Sequence, residues 1–245
     1  MKLLIKWNKS RKIVHAFFFL CFISFKLHAL PLSSKTISIN SQDGMALLIR
    51  SLNENYIRLS AQFVTQKNKM FCGVASIVMV LNAFEIQGPM DAVYLPYKLF
   101  TQDNFFDTSF KKNTYEKQIM KRGLVLDEIK KILEDYPINV TILHSNELTL
   151  EKFRGYLIEA VANKDTFCIL NYSYAKLGQE GRGHYSPVAA YDNKTDRFLI
   201  LDVARYKYPP VWVNTEDLWE AVNTLADSKL KKWRGIAILK KGIIN

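Results

Sequence analysis

The sequence contains little of what a disulfide framework or a metal centre requires. Among 245 residues there are three cysteines and four histidines, and no Cys-x-x-Cys pair occurs. One cysteine and two histidines fall within residues 1–29, which leaves Cys72, Cys168, His144 and His184 in the remainder. Two cysteines are too few for a disulfide scaffold, and this set does not form a zinc motif. We therefore expect no metal site and no protein-bound cofactor.

Internal repeats, low-complexity tracts and a Pro- or Gly-rich linker between two globular halves are also missing. The chain has only 10 glycines and 7 prolines, and 49% of its residues are hydrophobic. A chain of this length and composition can bury a sizeable core. We therefore expect one folded domain over residues 30–245 and treat residues 1–29 separately.

Acidic residues are absent from residues 1–29, whereas six of the 34 basic residues lie there. Without those six, 28 basic residues remain against 23 acidic ones, so the net charge falls from +11 to +5. Such a surface suits anionic small molecules. No zinc-finger or helix-turn-helix pattern and no basic stripe interleaved with aromatic residues accompanies it. We therefore expect no nucleic-acid partner.

A long hydrophobic run is missing too. The basic start of the chain is followed by ten mostly apolar residues, 16–25, and then by "LHA" at residues 27–29. A membrane span needs about 20 residues, whereas a short apolar core before a small residue is typical of an export signal. We expect residues 1–29 to be cleaved and the protein to be exported to the periplasm, without membrane association afterwards. The alternative is an uncleaved N-terminal anchor.

Hydrophobic periodicity separates a helical first half from a strand-rich second half. Residues 41–60 predict one amphipathic helix, and the almost wholly apolar residues 72–85 predict a buried helix that stops before "GP". Two more helices, "LDEIKKILEDYP" and "TLEKFRGYLIEAVAN", flank the strand "INVTILH". Antiparallel strands with one further helix, "VNTEDLWEAVNTL", follow: "TFCILNYSY", "GHYSPVAAYD", "RFLILDVAR", "PVWVNT" and "GIAILKK". This is an α+β pattern.

Cys72 opens the buried helix, and Gln66 lies six residues before it in "QKNKMFCG". A helix N-terminus and a nearby imidazolium both favour a thiolate over a thiol. The backbone N–H of Cys72 and the side chain of Gln66 could then donate hydrogen bonds to an oxyanion. The simpler interpretation is a cysteine that only packs in the core. The nucleophile therefore needs a base elsewhere in the chain.

The segment "GRGHYSPVAAYDNKTDRFLILDV" offers that base. Its two apolar runs predict a hairpin around "DNKTD". A three-residue loop, 192–194, sets His184 directly opposite Asp202, whereas a two-residue loop leaves them diagonal. A carboxylate beside an imidazole fixes its tautomer and stabilises its charged form. Each residue alone has a structural explanation, but together Cys72, His184, Asp202 and Gln66 favour catalysis.

The order of these four residues resembles that of papain-type cysteine peptidases. Four segments together resemble the phytochelatin synthase family, from about Leu30 to the C-terminus: "FVTQKNKMFCGVASIVMVLNAFEIQGP", "FTQDNFF", "GRGHYSPVAAYD" and "LDVARYKYPPVWV". The resemblance implies a papain-like fold in which Cys72 is the nucleophile, His184 the base and Asp202 its orienting partner. It also implies that Gln66 contributes to an oxyanion hole.

The resemblance further implies that glutathione is the donor substrate and can also be the acceptor. Glycine leaves, a γ-glutamylcysteinyl thioester forms on the enzyme, and water or a second glutathione resolves it. Cadmium or zinc ions would take part only as glutathione thiolate complexes, and the relatives suggest a homodimer. Plant-type members carry a further cysteine-rich region, whereas this sequence resembles the short prokaryotic-type relatives, in which hydrolysis predominates. We therefore expect hydrolysis before transfer.

Substrate contacts are predicted from side-chain chemistry and from the same resemblance. Arginine binds a carboxylate through its planar fork, so Arg234, which the resemblance favours, and Arg205 are candidates for the γ-glutamyl carboxylate. Asn171 and the main chain of Gly183 are expected to bond the dipeptide. Two residues are linked to the acceptor by the resemblance: Lys207 and Tyr208. The alternative for all of these is an ordinary surface or turn residue.

Two other functions stay open from the sequence. A papain-type peptidase or isopeptidase acting on longer peptides would use the same four residues, and a non-catalytic thiol- or metal-binding module would keep them without turnover. Cys168 is expected to be a core thiol, and the alternative is a disulfide with Cys72 that switches off the nucleophile. His144 is expected to have no catalytic role.

Overall fold

A computed structural model describes residues 30–108, 112–227 and 231–242. The predicted export signal, residues 1–29, lies outside these residues. The helices are α1 Gln42–Arg50, α2 Glu54–Ala61, α3 Cys72–Ala83, α4 Lys112–Arg122, α5 Leu126–Ile132, α6 Leu150–Val161 and α7 Thr215–Val222. The strands are β1 Thr36–Ser38, β2 Ile138–His144, β3 Thr166–Ser173, β4 Gly183–Asp192, β5 Arg197–Ile200, β6 Val211–Asn214, β7 Leu225–Asp227, β8 Lys232–Trp233 and β9 Gly235–Lys241.

Seven of the nine described strands form one antiparallel sheet in the order β1-β6-β5-β4-β3-β9-β2, and β7 pairs with β8. The predicted α+β class, with a helix-rich first half and an antiparallel second half, is confirmed. The division is less sharp than the sequence suggests, however. β1 pairs with β6 and β2 pairs with β9, so the first half supplies both edge strands.

Helices cover both faces of this sheet. Phe167 and Ile169 of β3 pack in one core cluster with α3, whereas Cys168 and Leu170 pack with α6 and α7 on the opposite face. All four side chains are fully buried. A strand that is buried on both faces has a continuous apolar run instead of an alternating one. The run "FCIL" in β3 has this physical origin.

The helix predicted over residues 72–85 is α3, and it starts at Cys72 as expected. All of its residues except Asn82 are buried, and it packs against β4 and α2. A helix that is hydrophobic on all sides is stable only inside the molecule. Its N-cap residue, Phe71, makes no side-chain capping hydrogen bond. The first backbone N–H groups of α3 are therefore left for other partners.

The single helix predicted over residues 41–60 is wrong, because the chain forms α1 and α2 with a break at residues 51–53. Leu52 leaves the helix to exchange two backbone hydrogen bonds of 2.9 Å with Tyr191 of β4. Asn53 donates its side-chain N–H to the carbonyl of Leu48 at 2.8 Å. Asn55 of α2 is a fully buried polar residue. Its side-chain amide donates to the carbonyl of Ala160 at 2.7 Å and to that of Thr166 at 2.9 Å.

We expect Asn55→Ala to lower the free energy of unfolding by about 1–3 kcal/mol, because two buried carbonyls lose their donor. Urea denaturation followed by circular dichroism measures this change. The matched control is Ile57→Ala in the same helix, whose side chain is 67% exposed. That control should stay within about 0.5 kcal/mol of the wild type. An Asn55 variant as stable as Ile57→Ala would contradict the prediction.

Candidate active site

A cleft of about 1110 Å³ lies at the N-terminus of α3, beside the start of β4. This volume is slightly above that of ordinary small-molecule sites, which are about 300–1,000 Å³. Seven of the ten predicted site residues line or border it: Gln66, Cys72, Asn171, Gly183, His184, Lys207 and Arg234 belong to its wall. The thiol-bearing residue Cys72 is 8% exposed, so a ligand in the cleft can reach it while most of its surface is packed.

His184 and Asp202 form a buried hydrogen-bonded pair. Nε2 of His184 lies 2.8 Å from Oδ1 of Asp202, and the two side chains are only 5% and 1% exposed. Because a carboxylate only accepts, Nε2 carries the hydrogen. The other ring nitrogen, Nδ1, is left for Cys72, which is one of the causes of the raised pKa of His184. The predicted contact between His184 and Asp202 is therefore present.

The hairpin register that was predicted to create this contact is wrong. The loop has four residues, 193–196. With the register next to this loop, His184 and Asp202 would point to opposite faces, because side chains alternate along a strand. A β-bulge between Val188 and Ala190 adds one residue to β4 and shifts the register by one. The bulge returns the two side chains to the same face.

The electrostatics of the pair favour a charged imidazole. Burial alone lowers the pKa of His184, but the charges of Asp202 and Cys72 and the hydrogen bonds to both outweigh it and raise the pKa to about 9. His184 is therefore an imidazolium at neutral pH, next to the sulfur of Cys72. A positive charge in that place stabilises a thiolate.

Gln66 is buried in the same wall and bound to the loop that carries Asp202. Its backbone N–H donates to the carbonyl of Val203 at 2.9 Å. Its side-chain Nε2 donates to the carbonyl of Asn68 and to the hydroxyl of Tyr206, each at 2.9 Å. Both side-chain N–H groups are therefore in use. The oxyanion role of Gln66 stays a prediction, and it requires that one of these bonds is exchanged.

Asn171, Gly183 and Arg234 meet on one side of the cleft. Nη1 of Arg234 donates to Oδ1 of Asn171 at 2.8 Å, and Nε donates to Oγ1 of Thr224 at 3.0 Å. The arginine is 9% exposed and has no acidic partner among the described residues. Burial lowers the pKa of its guanidinium, against the charges of Tyr185 and Cys72. A Cβ at Gly183 would lie 2.4 Å from Nη1, so only glycine allows this approach.

Of the remaining predicted substrate contacts, one lies in the cleft and two lie outside it. Lys207 lines the cleft and donates from Nζ to the carbonyl of Glu180 at 2.6 Å. Arg205 and Tyr208 are not among the residues that line the cleft. The guanidinium of Arg205 instead lies 4.7 Å from the ring centre of Phe63, and Tyr208 is buried, with its hydroxyl accepting from the backbone N–H of Glu180 at 2.7 Å. The structure therefore does not place these two residues in the wall of the cleft.

Two tyrosines in the cleft wall were missed from the sequence. Tyr174 donates to Oδ2 of Asp202 at 2.7 Å, and Tyr206 accepts from Gln66. Tyrosines are common in this chain, 12 in all, and neither position had a spacing that distinguished it. The one signal for Tyr174 is its position directly after β3, next to the start of β4, where His184 lies.

The disulfide alternative is not formed, because Cys72 and Cys168 are both free thiols. Cys168 belongs to the core cluster on the face of the sheet opposite to that of Cys72. Burial raises the pKa of the Cys168 thiol far above its usual value, which keeps it inert. Within the described residues, no group of three or more His, Cys, Asp or Glu side chains could hold a metal ion. Among the described residues, none of the helices has the length and hydrophobicity of a transmembrane segment.

A cysteine at a helix N-terminus beside a buried histidine–aspartate pair is the arrangement of proteins that transfer acyl groups through a thioester. The similarity of the sequence to known proteins agrees with this class of protein and identifies one family within it. The sequence model of phytochelatin synthase matches residues 27–236, and the chain therefore belongs to the phytochelatin synthase family.

Among known proteins, the chain is similar to glutathione gamma-glutamylcysteinyltransferase 3 of Lotus japonicus, with 32% identity over 213 residues. It is 30% identical over 220 residues to glutathione gamma-glutamylcysteinyltransferase 2 of Arabidopsis thaliana, and 26% identical over 223 residues to the transferase of Schizosaccharomyces pombe. These matches cover 85%, 88% and 89% of this chain but 43%, 47% and 51% of the three relatives. The chain thus spans about half the length of the curated relatives it matches.

We expect His184→Gln to slow the alkylation of Cys72 by iodoacetamide at pH 6 by about tenfold or more. An ordinary thiol, with a pKa of about 8.5, is under ~1% thiolate at pH 6. The wild type keeps its imidazolium until the pH rises through about 9, so the rates of the two proteins should converge above that value. Peptide mass spectrometry measures modification of Cys72, and Cys72→Ser gives the background. Equal rates at pH 6 would contradict activation by His184.

Proposed function

We propose that this chain acts on glutathione as a cysteine-dependent γ-glutamylcysteinyl hydrolase and transferase with a papain-like fold. The observation that carries the proposal is the buried His184–Asp202 pair beside Cys72, in a cleft that also holds the guanidinium of Arg234. Relatives in the same family are glutathione gamma-glutamylcysteinyltransferases, which supports the substrate. A helix-borne cysteine, followed in the chain by a histidine of β4 and an aspartate two residues after β5, supports the papain-like arrangement.

The first half-reaction takes place at the Cys–Gly peptide bond of glutathione. The Cys72 thiolate adds to the carbonyl carbon, and the oxyanion accepts hydrogen bonds from the Cys72 backbone N–H and from Gln66, which releases Tyr206 or Asn68 to do so. His184 donates its Nδ1 proton to the glycine nitrogen as the C–N bond breaks. Glycine leaves, and the γ-Glu-Cys group remains as a thioester on Cys72.

The second half-reaction uses the now neutral His184 as a base. It removes a proton from water, whose oxygen attacks the thioester and releases γ-glutamylcysteine. Alternatively, the amine of a second glutathione attacks and gives (γ-Glu-Cys)2-Gly. Asp202 stabilises the imidazolium each time it forms. We expect hydrolysis to be the main reaction. Transfer is the minor reaction, and the cleft of about 1110 Å³ leaves room for an acceptor.

Substrate selection rests on charge. Arg234 is a buried cation without an acidic partner in the described part of the chain, and a γ-glutamyl carboxylate supplies the missing charge. Asn171 orients the guanidinium, and Gly183 gives it space. Lys207, on the wall that carries Glu180 and Tyr174, is the candidate for the acceptor carboxylates. Cadmium and zinc enter as glutathione thiolate complexes, that is, as part of the substrate.

Three further parts of the proposal concern the whole protein. Residues 1–29 act as a cleaved export signal, the mature protein works in the periplasm, and it forms a homodimer. N-terminal sequencing of the protein recovered from the periplasm should start near Leu30. Light scattering of the mature protein should give twice the mass of one chain. A membrane-bound protein with an intact N-terminus would support the anchor instead.

The decisive experiment incubates the mature protein with glutathione, with and without cadmium or zinc, and identifies the products by mass spectrometry. We expect glycine and γ-glutamylcysteine as the main products, because water is the acceptor in excess. Cys72→Ala should form neither, since no thioester can form. Longer (γ-Glu-Cys)n-Gly products would show transfer as well. Intact glutathione, together with cleavage of longer peptides, would favour the peptidase alternative.

We expect Gly183→Ala to raise the KM for glutathione by about tenfold or more, with a smaller effect on kcat. The new Cβ would lie 2.4 Å from Nη1 of Arg234, so the guanidinium has to leave Asn171. A lost charge-assisted hydrogen bond is worth about 1.5–3 kcal/mol, which corresponds to the expected change in KM. Initial rates over a range of glutathione concentrations measure both constants. The matched control is Gly155→Ala in α6, where nothing lies within 4 Å of the added Cβ.

A further inference from the structure

We infer that Tyr174 is the positioning residue of the His184–Asp202 pair: its hydroxyl fixes the Asp202 carboxylate and its ring fixes the plane of the His184 imidazole. The inference rests on the proposed catalytic role of that pair. It assigns to Tyr174 a function that is distinct from substrate binding and from proton transfer.

The hydroxyl completes the hydrogen bonding of the carboxylate. Oδ1 of Asp202 accepts from Nε2 of His184 and from the backbone N–H of Ala204, each at 2.8 Å. Oδ2 accepts from the hydroxyl of Tyr174 at 2.7 Å. Asp202 is 1% exposed, so without Tyr174 its Oδ2 would be a buried charged oxygen with no described hydrogen-bond donor. A rotation of the carboxylate toward another donor would then lower its energy, and this rotation would alter the hydrogen bond to His184.

The ring of Tyr174 holds the imidazole directly. The two ring centres are 4.4 Å apart with an angle of 24° between their planes, whereas Tyr172 meets the same imidazole edge-on at 5.7 Å and 89°. A stacked ring limits the rotation of the imidazole about its own axis. This rotation decides whether Nδ1 points to Cys72, so the stacking contact acts on the reacting geometry.

The backbone fixes Tyr174 at this place. It is the first residue after β3, and its N–H donates to the carbonyl of Arg182 at 2.9 Å, just beyond the last pair of the β3–β4 ladder. Gly181 has a φ of +138°, and a Cβ there would lie 2.6 Å from the Tyr174 ring. Burial raises the pKa of Tyr174 far above its usual value, so the phenol remains a donor at every pH at which the protein is assayed.

The test is a double-mutant cycle of Tyr174→Phe and Asp202→Asn. The readout is alkylation of Cys72 by iodoacetamide at pH 6, which needs no glutathione. We expect Tyr174→Phe to slow alkylation about three- to tenfold in the wild-type background. It should have an effect below about twofold in the Asp202→Asn background, because the substitution keeps the stacked ring and removes only the hydroxyl, which acts through that carboxylate. Equal effects in both backgrounds would overturn the inference.

The matched control is Tyr191→Phe. Tyr191 is a buried tyrosine of β4 whose hydroxyl donates to Oδ1 of Asp196 at 2.9 Å, which is the same type of bond away from Cys72. It should lose stability, measured by urea denaturation, without any change in alkylation. A Tyr174→Phe variant that loses stability but alkylates at the wild-type rate would likewise contradict the inference.

Turnover of glutathione separates this inference from the proposed function. If glutathione is the substrate, Tyr174→Phe should lower kcat about as much as it lowers the alkylation rate, with KM within about twofold. If the wild type does not cleave glutathione, the proposed function fails. The alkylation cycle would then still decide the role of Tyr174.

Discussion

The arrangement of side chains around Cys72, at the N-terminus of α3, depends on one buried hydrogen bond, from Nε2 of His184 to Oδ1 of Asp202. An ion pair removed from water loses several kcal/mol of hydration per ion unless hydrogen bonds replace it. Here the carboxylate receives three, from His184, from the backbone of Ala204 and from Tyr174. The contact exists only because the bulge near Ala189 brings both side chains to one face of the sheet. One additional residue in β4 therefore decides whether the His184 imidazole beside Cys72 meets Asp202.

Close packing around this bond explains the two glycines that precede His184. In "GRGH", Gly181 lies against the ring of Tyr174, and Gly183 lies against the guanidinium of Arg234; an added Cβ would come within 2.6 Å and 2.4 Å of them. The first contact packs the ring that stacks on the His184 imidazole, and the second packs the guanidinium in the cleft wall. The same short segment thus contacts the neighbours of both the histidine and the substrate-facing wall of the proposed site. A Cβ at either position would move a different part of the site.

The sequence predicted best where long apolar runs define an element. The start of α3 and the bounds of β2, β4 and β9 agree with "INVTILH", "GHYSPVAAYD" and "GIAILKK". It failed where geometry depends on single backbone conformations. The contact of His184 with Asp202 was predicted, but the four-residue loop and the bulge were not, because neither changes the hydrophobic pattern. Arg205 was a candidate for the substrate carboxylate, but its side chain packs on Phe63 outside the residues that line the cleft; side chains in an irregular loop follow no period. Tyr174 was missed because its partner lies 28 positions away.

Arg234 shows how the site departs from what stability alone would select. A buried guanidinium without an acidic partner in the described chain is costly, and the neutral partners Asn171 and Thr224 offset only part of that cost. An apolar side chain of similar volume would pack there at lower cost. A guanidinium in such a place forms its strongest hydrogen bonds with a carboxylate, which it can bind through two N–H groups. A buried cation with only neutral partners in the described chain is more typical of a functional site than of a structural core.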